Sequence, residues 1–426
     1  MNRIVDFLGS IMRLAGDEAL ISRHKDKPSS FTRDGKIKVS DVIFFVLSLI
    51  KTTLPLEIHH YVKSGIMQLV VASSITKARL KVLAGIFKEI LCSTAKELPV
   101  KKTFKGRQVV ALDGTQGELP RSNELLLAKY GVNKKTSFLM FHAIAVYDVL
   151  NRIFINAIFK PAPTDERQAG IELILELVGI PIIALLDRGF PSVALIQTLL
   201  SQKIEFVMRV STSFIAEVND FIRSDKTDEV VFICYDKRKA GKNKVKVIAF
   251  PCAFSLRCVK IPLKNGEIEI LITNLSQEEF SKEELAELYN MRWGIETSFG
   301  HLKNAVRVED FVGKKENCIL QEFYASLIFY NIAILFADEA NELLAAAKEE
   351  RKPTKLEYKV NLTRTIAILK CHLAGLFNDA DAVKTIKDML SAMKEYPLAV
   401  RKGRSFPRIR RGGKHSVHYR INIYTG

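Results

Sequence analysis

Tyr289, Arg292, Glu296 and Lys303 share one stretch of chain, LAELYNMRWGIETSFGHLKN, with offsets of 3, 7 and 14 residues from the tyrosine. A helix turns about 100° per residue, so these offsets put all four side chains within roughly 60° of one another. One face would then carry a phenol, a carboxylate and two cations. Such a set suits a metal-bound phosphate, with the acid on the metal and the Arg and Lys on the flanking anions. The plain alternative is a solvated helix face with i,i+4 pairing, Arg292 to Glu296.

Two aspartates give that face company. Gln108–Leu112 is a short β-rich run that ends in Asp113-Gly114, and Ile182–Leu186 is a fully apolar strand that ends in Asp187-Arg188-Gly189. Taken singly, the first pair is a turn and the second a helix cap or salt bridge. Taken with Glu296, they supply three carboxylates to hard divalent cations. Two Mg²⁺ ions a few ångströms apart activate a water or a 3′-hydroxyl and stabilise the leaving oxygen.

The elements between these residues must bring them together. Phe138–Val149 and Arg152–Ile158 form a hairpin about Asn151. Thr164–Val178 is helical, as is Ser192–Gln202, and Glu205–Val210 is a further strand. The order β-β-β-α-β-α-β gives a mixed sheet in which the first and fourth strands lie side by side and parallel. Asp113 and Asp187 then emerge together at the C-terminal edge, where open α/β sheets place their sites. Four short alternating runs follow (VVFICY, KVKVIAF, LRCVKI, EIEILIT), an all-β insertion before the Glu296 helix.

The first hundred residues are helix-patterned. Ser73 or Ser74 caps one long helix that carries Lys77, Arg79 and Lys81 near its start, which suits a helix-turn-helix-like DNA-binding unit as well as a plain bundle. At 426 residues the chain exceeds one core, and about two to four domains are expected. The net charge of +17 calls for a polyanionic partner, nucleic acid before membrane. The apolar run from Phe323 to Ala337 falls short of the ~20 residues that span a bilayer and reads as a buried helix. The six cysteines show no zinc spacing and read as core thiols of a reducing, cytoplasmic protein. Trp293, the only tryptophan, is expected to pack its helix against the sheet; His142 reads as a satisfied core histidine, and Tyr235, Phe250 and Phe254 as core aromatics. Arg401–Arg420 holds eight Lys/Arg and no acid, a tail suited to phosphate contact.

The motifs DGT (Asp113–Thr115), DRGF (Asp187–Phe190) and Y-x2-R-x3-E-x6-K (Tyr289, Arg292, Glu296, Lys303) occur in that order, supported by RWGIE, QEFYASLIFYNIA and RSFPR. On these residues the chain resembles the bacterial insertion-sequence transposases of the IS4 family, within the RNase H-like DDE transposases. The resemblance runs over essentially the whole length and is weakest in the N-terminal third. It implies an α/β fold: an RNase H-like mixed-sheet catalytic core with an all-β insertion, flanked by helical N- and C-terminal regions. The units expected are a helical DNA-binding domain (1–104), the first part of the core (105–212), the insertion (213–275), the glutamate helix (276–310), a C-terminal helical region (311–400) and the basic tail (401–426).

Asp113, Asp187 and Glu296 are then the expected catalytic residues and the ligands of two Mg²⁺ or Mn²⁺ ions. Tyr289, Arg292, Lys303, Arg188, Lys77, Arg79, Arg404 and Arg408 are the expected DNA contacts. The implied activity is cleavage at terminal inverted repeats and strand transfer into target DNA, by a homodimer in the synaptic complex. The alternatives are a nuclease of the same fold without strand transfer, and a domesticated DNA-binding regulator. Three intact acids argue against the regulator.

Overall fold

The computed structural model describes residues 1–33, 35–65, 67–120, 124–133, 136–162, 164–235, 252–263, 266–349, 356–378 and 381–400. The N-terminal helices are α1 (Asn2–Ala15), α2 (Glu18–Arg23), α3 (Val39–Leu47), α4 (Leu54–Lys63), α5 (Ala72–Lys81) and α6 (Gly85–Glu97). The long helix expected after Ser74 is thus two. Val82 is extended at the break and bridges Lys25, while Leu83 N–H donates to His24. Tertiary pairing here overrides a helix-compatible sequence.

The core follows as β1 (Gln108–Glu118), α7 (Glu124–Tyr130), β2 (Gly131–Asn133), β3 (Thr136–Asp148), β4 (Ile153–Pro161), α8 (Glu166–Leu175), β5 (Ile182–Leu186), α9 (Val193–Ser201) and β6 (Glu205–Val210). Side-chain caps set the helix starts: Asp165 accepts from Arg167 N–H for α8, and Ser192 from Leu195 N–H for α9. From one edge the sheet runs β4, β3, β1, β5, β6, with β1, β5 and β6 mutually parallel and β3 antiparallel to both neighbours. An antiparallel hairpin followed by two parallel crossovers, in this strand order, is the RNase H-like sheet.

Next come α10 (Ala216–Arg223), β7 (Asp228–Tyr235), β8 (Cys252–Pro262) and β9 (Ile268–Thr273). The insertion is β-rich, but it opens with a helix. Its strands are also not a separate layer: β9 pairs antiparallel with β6, and β8 and β7 extend the same sheet outward. The run KVKVIAF lies outside the described residues.

After α11 (Lys282–Met291) and α12 (Trp293–His301) the helix widens into a π turn, Leu302–Val306. The chain then forms α13 (Glu316–Glu349), β10 (Glu357–Lys359), α14 (Leu362–Leu376), α15 (Ala382–Lys394) and β11 (Leu398–Val400). By length and composition α13 could cross a membrane, yet 94% of its apolar window is buried inside the protein, so it serves as the core helix.

Strand alternation divides the apolar residues between two faces. Val110, Leu112, Ile144, Leu186 and Met208 pack against α8, α9 and α10. Val109, Ala111, Ala145, Leu185 and Val207 face α11, α12 and α13 in a cluster that also takes in the N-terminal helices from Ile4 onward. Cys258 and Cys318 are buried thiols, whereas Cys234 and Cys371 are exposed, contrary to an all-core reading.

The N-terminal helices are therefore not an independent unit in packing. Ile86, Phe87, Ile90 and Leu91 of α6 are fully buried, and α6 lies on β4 and α13. Each such side chain is worth ~1.5–3 kcal/mol when buried, against total domain stabilities of about 5–15 kcal/mol. A fragment of residues 1–100 is expected to be insoluble or to lack a cooperative melt by circular dichroism. A sharp melting transition for that fragment would contradict this.

Candidate active site

The parallel register of β1 and β5 ends with Leu112 opposite Leu186, so Asp113 and Asp187 are each the next residue along. Parallel neighbours lie ~4.8 Å apart, which puts the two acids side by side at the C-terminal edge. Beyond Leu112, β1 continues to Glu118 paired only with β3, so Asp113 stands inside a strand rather than in the turn its Asp-Gly sequence suggests. Asp113 Oδ1 accepts from Gly114 N–H at 2.8 Å.

Across the sheet face, α12 brings Glu296. Arg292, at the junction of α11 and α12, links the two acids: its Nη1 is 3.3 Å from Asp113 Oδ2 and its Nη2 is 2.9 Å from Glu296 Oε1. This guanidinium is 3% exposed. The i,i+4 pair with Glu296 thus forms, but as part of a buried bridge and not on a solvated face. Burial pushes the Asp113 carboxyl up to about 6, with Asp187 and Glu296 adding to the rise and Gly114 N–H and Arg292 opposing it. Asp113 therefore feels the charge of both other acids.

Tyr289 is buried beside Arg292, whose guanidinium lies 5.6 Å from its ring centre. Burial raises the phenol to about 12, against the pull of Arg292. Tyr289 Oη and Arg292 Nε are buried and have no hydrogen-bond partner. Unsatisfied buried donors are rare and require explanation.

Lys303 falls in the π turn, where the 3.6-residue spacing no longer applies. It remains at the site because its Nζ donates to Gln116 O of β1 and pairs with Glu309 Oε1 at 3.3 Å. Arg188 is exposed next to Asp187, and Lys77 is exposed on α5.

Three expectations need correction. Arg79 is not available to DNA: it is 3% exposed and bound to Glu322 Oε1 at 2.8 Å, Gln321 Oε1 at 3.1 Å and Cys318 O at 3.1 Å. Its position on the inner side of α5, which local sequence does not reveal, decides this. Trp293, expected to be packed inward, is 46% exposed, with Arg292 5.3 Å from its ring. His142 is buried yet not satisfied, since its Nδ1 has no partner. Phe254 is partly buried against the second core cluster, as expected. Arg404, Arg408 and the rest of the tail lie outside the described residues, as do Phe250 and the side chain of Tyr235.

Two pairs were not anticipated. Arg209 Nη1 on β6 is 3.3 Å from Glu269 Oε1 on β9, and burial with Asp187 nearby raises the Glu269 carboxyl while Arg209 and Arg292 oppose the rise. His142 Nε2 is 2.8 Å from Glu166 Oε1. The available signal was a charge inside an apolar strand run, EFVMRV for Arg209 and EIEILIT for Glu269.

Among the described residues, no three His, Cys, Asp or Glu side chains stand at metal-holding distance. The donor set nonetheless fits a hard divalent cation: three carboxylates with mutually unfavourable charge, two of them already sharing a cation in Arg292.

An RNase H-like sheet with acids at these positions defines a nucleic-acid phosphoryl-transfer enzyme. Residues 104–332, more than half of the chain, match the family described as the transposase DDE domain. The chain belongs to this family and is a DNA-binding DDE transposase of the IS4 type. It is similar to a protein of Synechocystis sp. named as a transposase for insertion sequence element IS4SA, with 28% identity over 273 residues, 61% of this chain and 70% of the relative. Among solved structures, the piggyBac transposase synaptic complex with hairpin DNA aligns over 91% of this chain and 85% of that one, at 13% identity and a TM-score of 0.45.

Proposed function

We propose that this transposase cuts DNA at the terminal inverted repeats of an insertion sequence and joins the freed 3′ ends to target DNA. The observation that supports this best is the Arg292 bridge, which joins Asp113 to Glu296 next to the strand end that carries Asp187. Members of the family use divalent metal ions, and Asp113, Asp187 and Glu296 are the residues that would hold two of them, Mg²⁺ or Mn²⁺. Bound ions supply the activation of the attacking oxygen and the stabilisation of the leaving one.

The chain's own residues do the rest. Tyr289 Oη and Arg292 Nε are donors without acceptors, and a phosphate oxygen suits both. Arg292 is the counter-charge that keeps Asp113 and Glu296 from separating while no DNA is bound. Lys303, anchored to Gln116 O, holds a second positive charge over the end of β1. Arg188 stands exposed beside Asp187, and Lys77 offers a charge on the N-terminal helices.

In the first reaction, water attacks the phosphorus and the P–O3′ bond breaks, leaving a 3′-hydroxyl and a 5′-phosphate. That hydroxyl then attacks a target phosphodiester, and one P–O bond replaces another without an external energy source. A homodimer acting in the bacterial cytoplasm would bring the two ends together.

The test is a supercoiled donor plasmid carrying the element's own inverted repeats, incubated with protein, Mg²⁺ and a target plasmid. Excised ends and joined products are expected. Cut ends that never join would make the protein a nuclease, and specific binding without cutting would make it a regulator.

A further inference from the structure

We propose that Glu166 and His142 form a positioning pair that sets the spacing between the strand end bearing Asp113 and the loop bearing Asp187. The inference rests on the site assignment above. Gly114 follows Asp113, and Gly189 lies two residues after Asp187; Glu166 lies beside the open side of both. A Cβ placed on Gly114 would lie 2.7 Å from Glu166 Oε1 and 2.6 Å from His142 Nε2, closer than real Cβ atoms come. A Cβ on Gly189 would lie 3.5 Å from Glu166 Oε2. One carboxylate therefore spans the two acid-bearing segments, with one oxygen at each glycine.

The pair lies beneath the site and not in it. Successive strand residues face opposite sides of a sheet. Asp113 faces α12 and Glu296, so Gly114 faces α8, where Glu166 and His142 meet it. His142 belongs to β3 opposite Gln116, on the same side of the sheet as Gly114. Glu166 opens α8 directly after its cap, Asp165, so its backbone is fixed. The next residue, Arg167, donates from Nε to Gly189 O at 3.0 Å and ties the same loop again.

The two side chains also meet each other directly. His142 Nε2 stands 2.8 Å from Glu166 Oε1, an ion-pair distance. Nδ1 is left buried without a partner in a side chain only 4% exposed. An apolar residue would fill this place more simply. What His142 offers instead is a rigid polar ring against the Glu166 carboxylate at Gly114. Glu166 and His142 thus act on the backbone that carries the acids, and neither touches the reacting atoms.

Misplacement of a reacting group by about 1 Å can cost ~100-fold in rate. The measurement is single-turnover cleavage of end DNA by the full chain, with end-DNA affinity and melting temperature recorded for each variant. Glu166→Ala should cleave about 10- to 100-fold more slowly with unchanged DNA affinity. Glu166→Gln should restore most of the rate, since it keeps the length and volume that fill the space against both glycines and a polar end beside His142. Glu166→Asp keeps the charge but withdraws from the glycines, and should stay slow. The opposite ranking, with Asp fast and Gln slow, would mean that the charge itself is used and would overturn the positioning role. A wild-type rate for Glu166→Ala would overturn it as well. If Glu166→Ala fails to fold, the Gln and Asp variants decide by their ranking. Asp113→Asn, run alongside, separates the two levels: cleavage by that variant would remove the site assignment, whereas a dead Asp113→Asn beside a normal Glu166→Ala would remove only the pair.

Discussion

Asp113→Asn is expected to abolish strand cleavage while leaving end binding and folding nearly unchanged. The loss should be at least about a thousandfold, or ~4 kcal/mol of transition-state stabilisation at ~1.36 kcal/mol per factor of ten. Asn has nearly the same shape, and its single side-chain oxygen can still accept from Gly114 N–H, while the amide nitrogen in place of Oδ2 gives up the contact with Arg292. What it lacks is the negative charge that a divalent cation requires. The fold has little reason to miss that charge. Burial and the neighbouring Asp187 and Glu296 raise the Asp113 carboxyl to about 6, so the ionised form is held against resistance. Nicking of a supercoiled donor plasmid measures the chemistry, and a gel shift on end DNA measures the grip. A variant that still nicks with Mg²⁺ would take Asp113 out of the catalytic set.

The second large effect concerns stability. Glu322 on α13 is wholly buried and accepts from Lys51 Nζ at 3.1 Å, Arg79 Nη2 at 2.8 Å, Val312 N–H at 2.9 Å and Gly313 N–H at 2.8 Å. Glu322→Ala leaves two buried cations without their anion, and breaking a buried pair in this way costs ~3–5 kcal/mol. A clear fall in melting temperature is expected, with Glu322→Gln intermediate because it keeps some of the hydrogen bonds.

The pH dependence follows from the same contacts. Burial opposes ionisation of Glu322, but Lys51, Arg79 and Val312 N–H outweigh it and hold the carboxyl near 2, below its ordinary 4.5. The unfolded chain therefore binds this proton at higher pH than the folded one. The stabilisation is complete above about pH 4.5 and is lost as pH falls toward 2. Melts across this window should show wild type losing stability more steeply than Glu322→Gln. Equal slopes and equal melting temperatures would mean that the cluster contributes nothing net.

This cluster matters for the architecture because it joins distant parts of the chain. Lys51 follows α3, Arg79 lies on α5, and Val312 and Gly313 follow the π turn that carries Lys303. One carboxylate thus ties the N-terminal helices to the segment next to the site. End recognition by those helices, through exposed residues such as Lys77, is therefore best tested in the full chain.

Local patterns along the chain fix the order of the core elements and the places of the acids on them. Short apolar runs mark β5 and β6 at their observed limits, and Asp165 and Ser192 cap α8 and α9 because a side-chain oxygen next to the first helical N–H groups is a local matter. Asp113 and Asp187 could be paired in advance because strand order and crossover handedness leave few arrangements. The 3.6-residue period carried Tyr289, Arg292 and Glu296 to one site, and it stopped working at Lys303, where the helix widens.

What each charge does depends on packing between distant segments. Arg79 looked like a DNA contact because three cations share the start of its helix, yet its partner Glu322 is 243 residues away and turns it into a core ion pair. Arg292 likewise meets an acid 179 residues distant as well as one four residues on. The π turn and the break at Val82 answer to strand and loop contacts that no short window contains. Glu166 at Gly114 and Glu269 beside Arg209 come together through sheet register and helix packing. A side chain's neighbours along the chain are set by spacing, but its charge partner is set by whichever distant segment the fold lays against it.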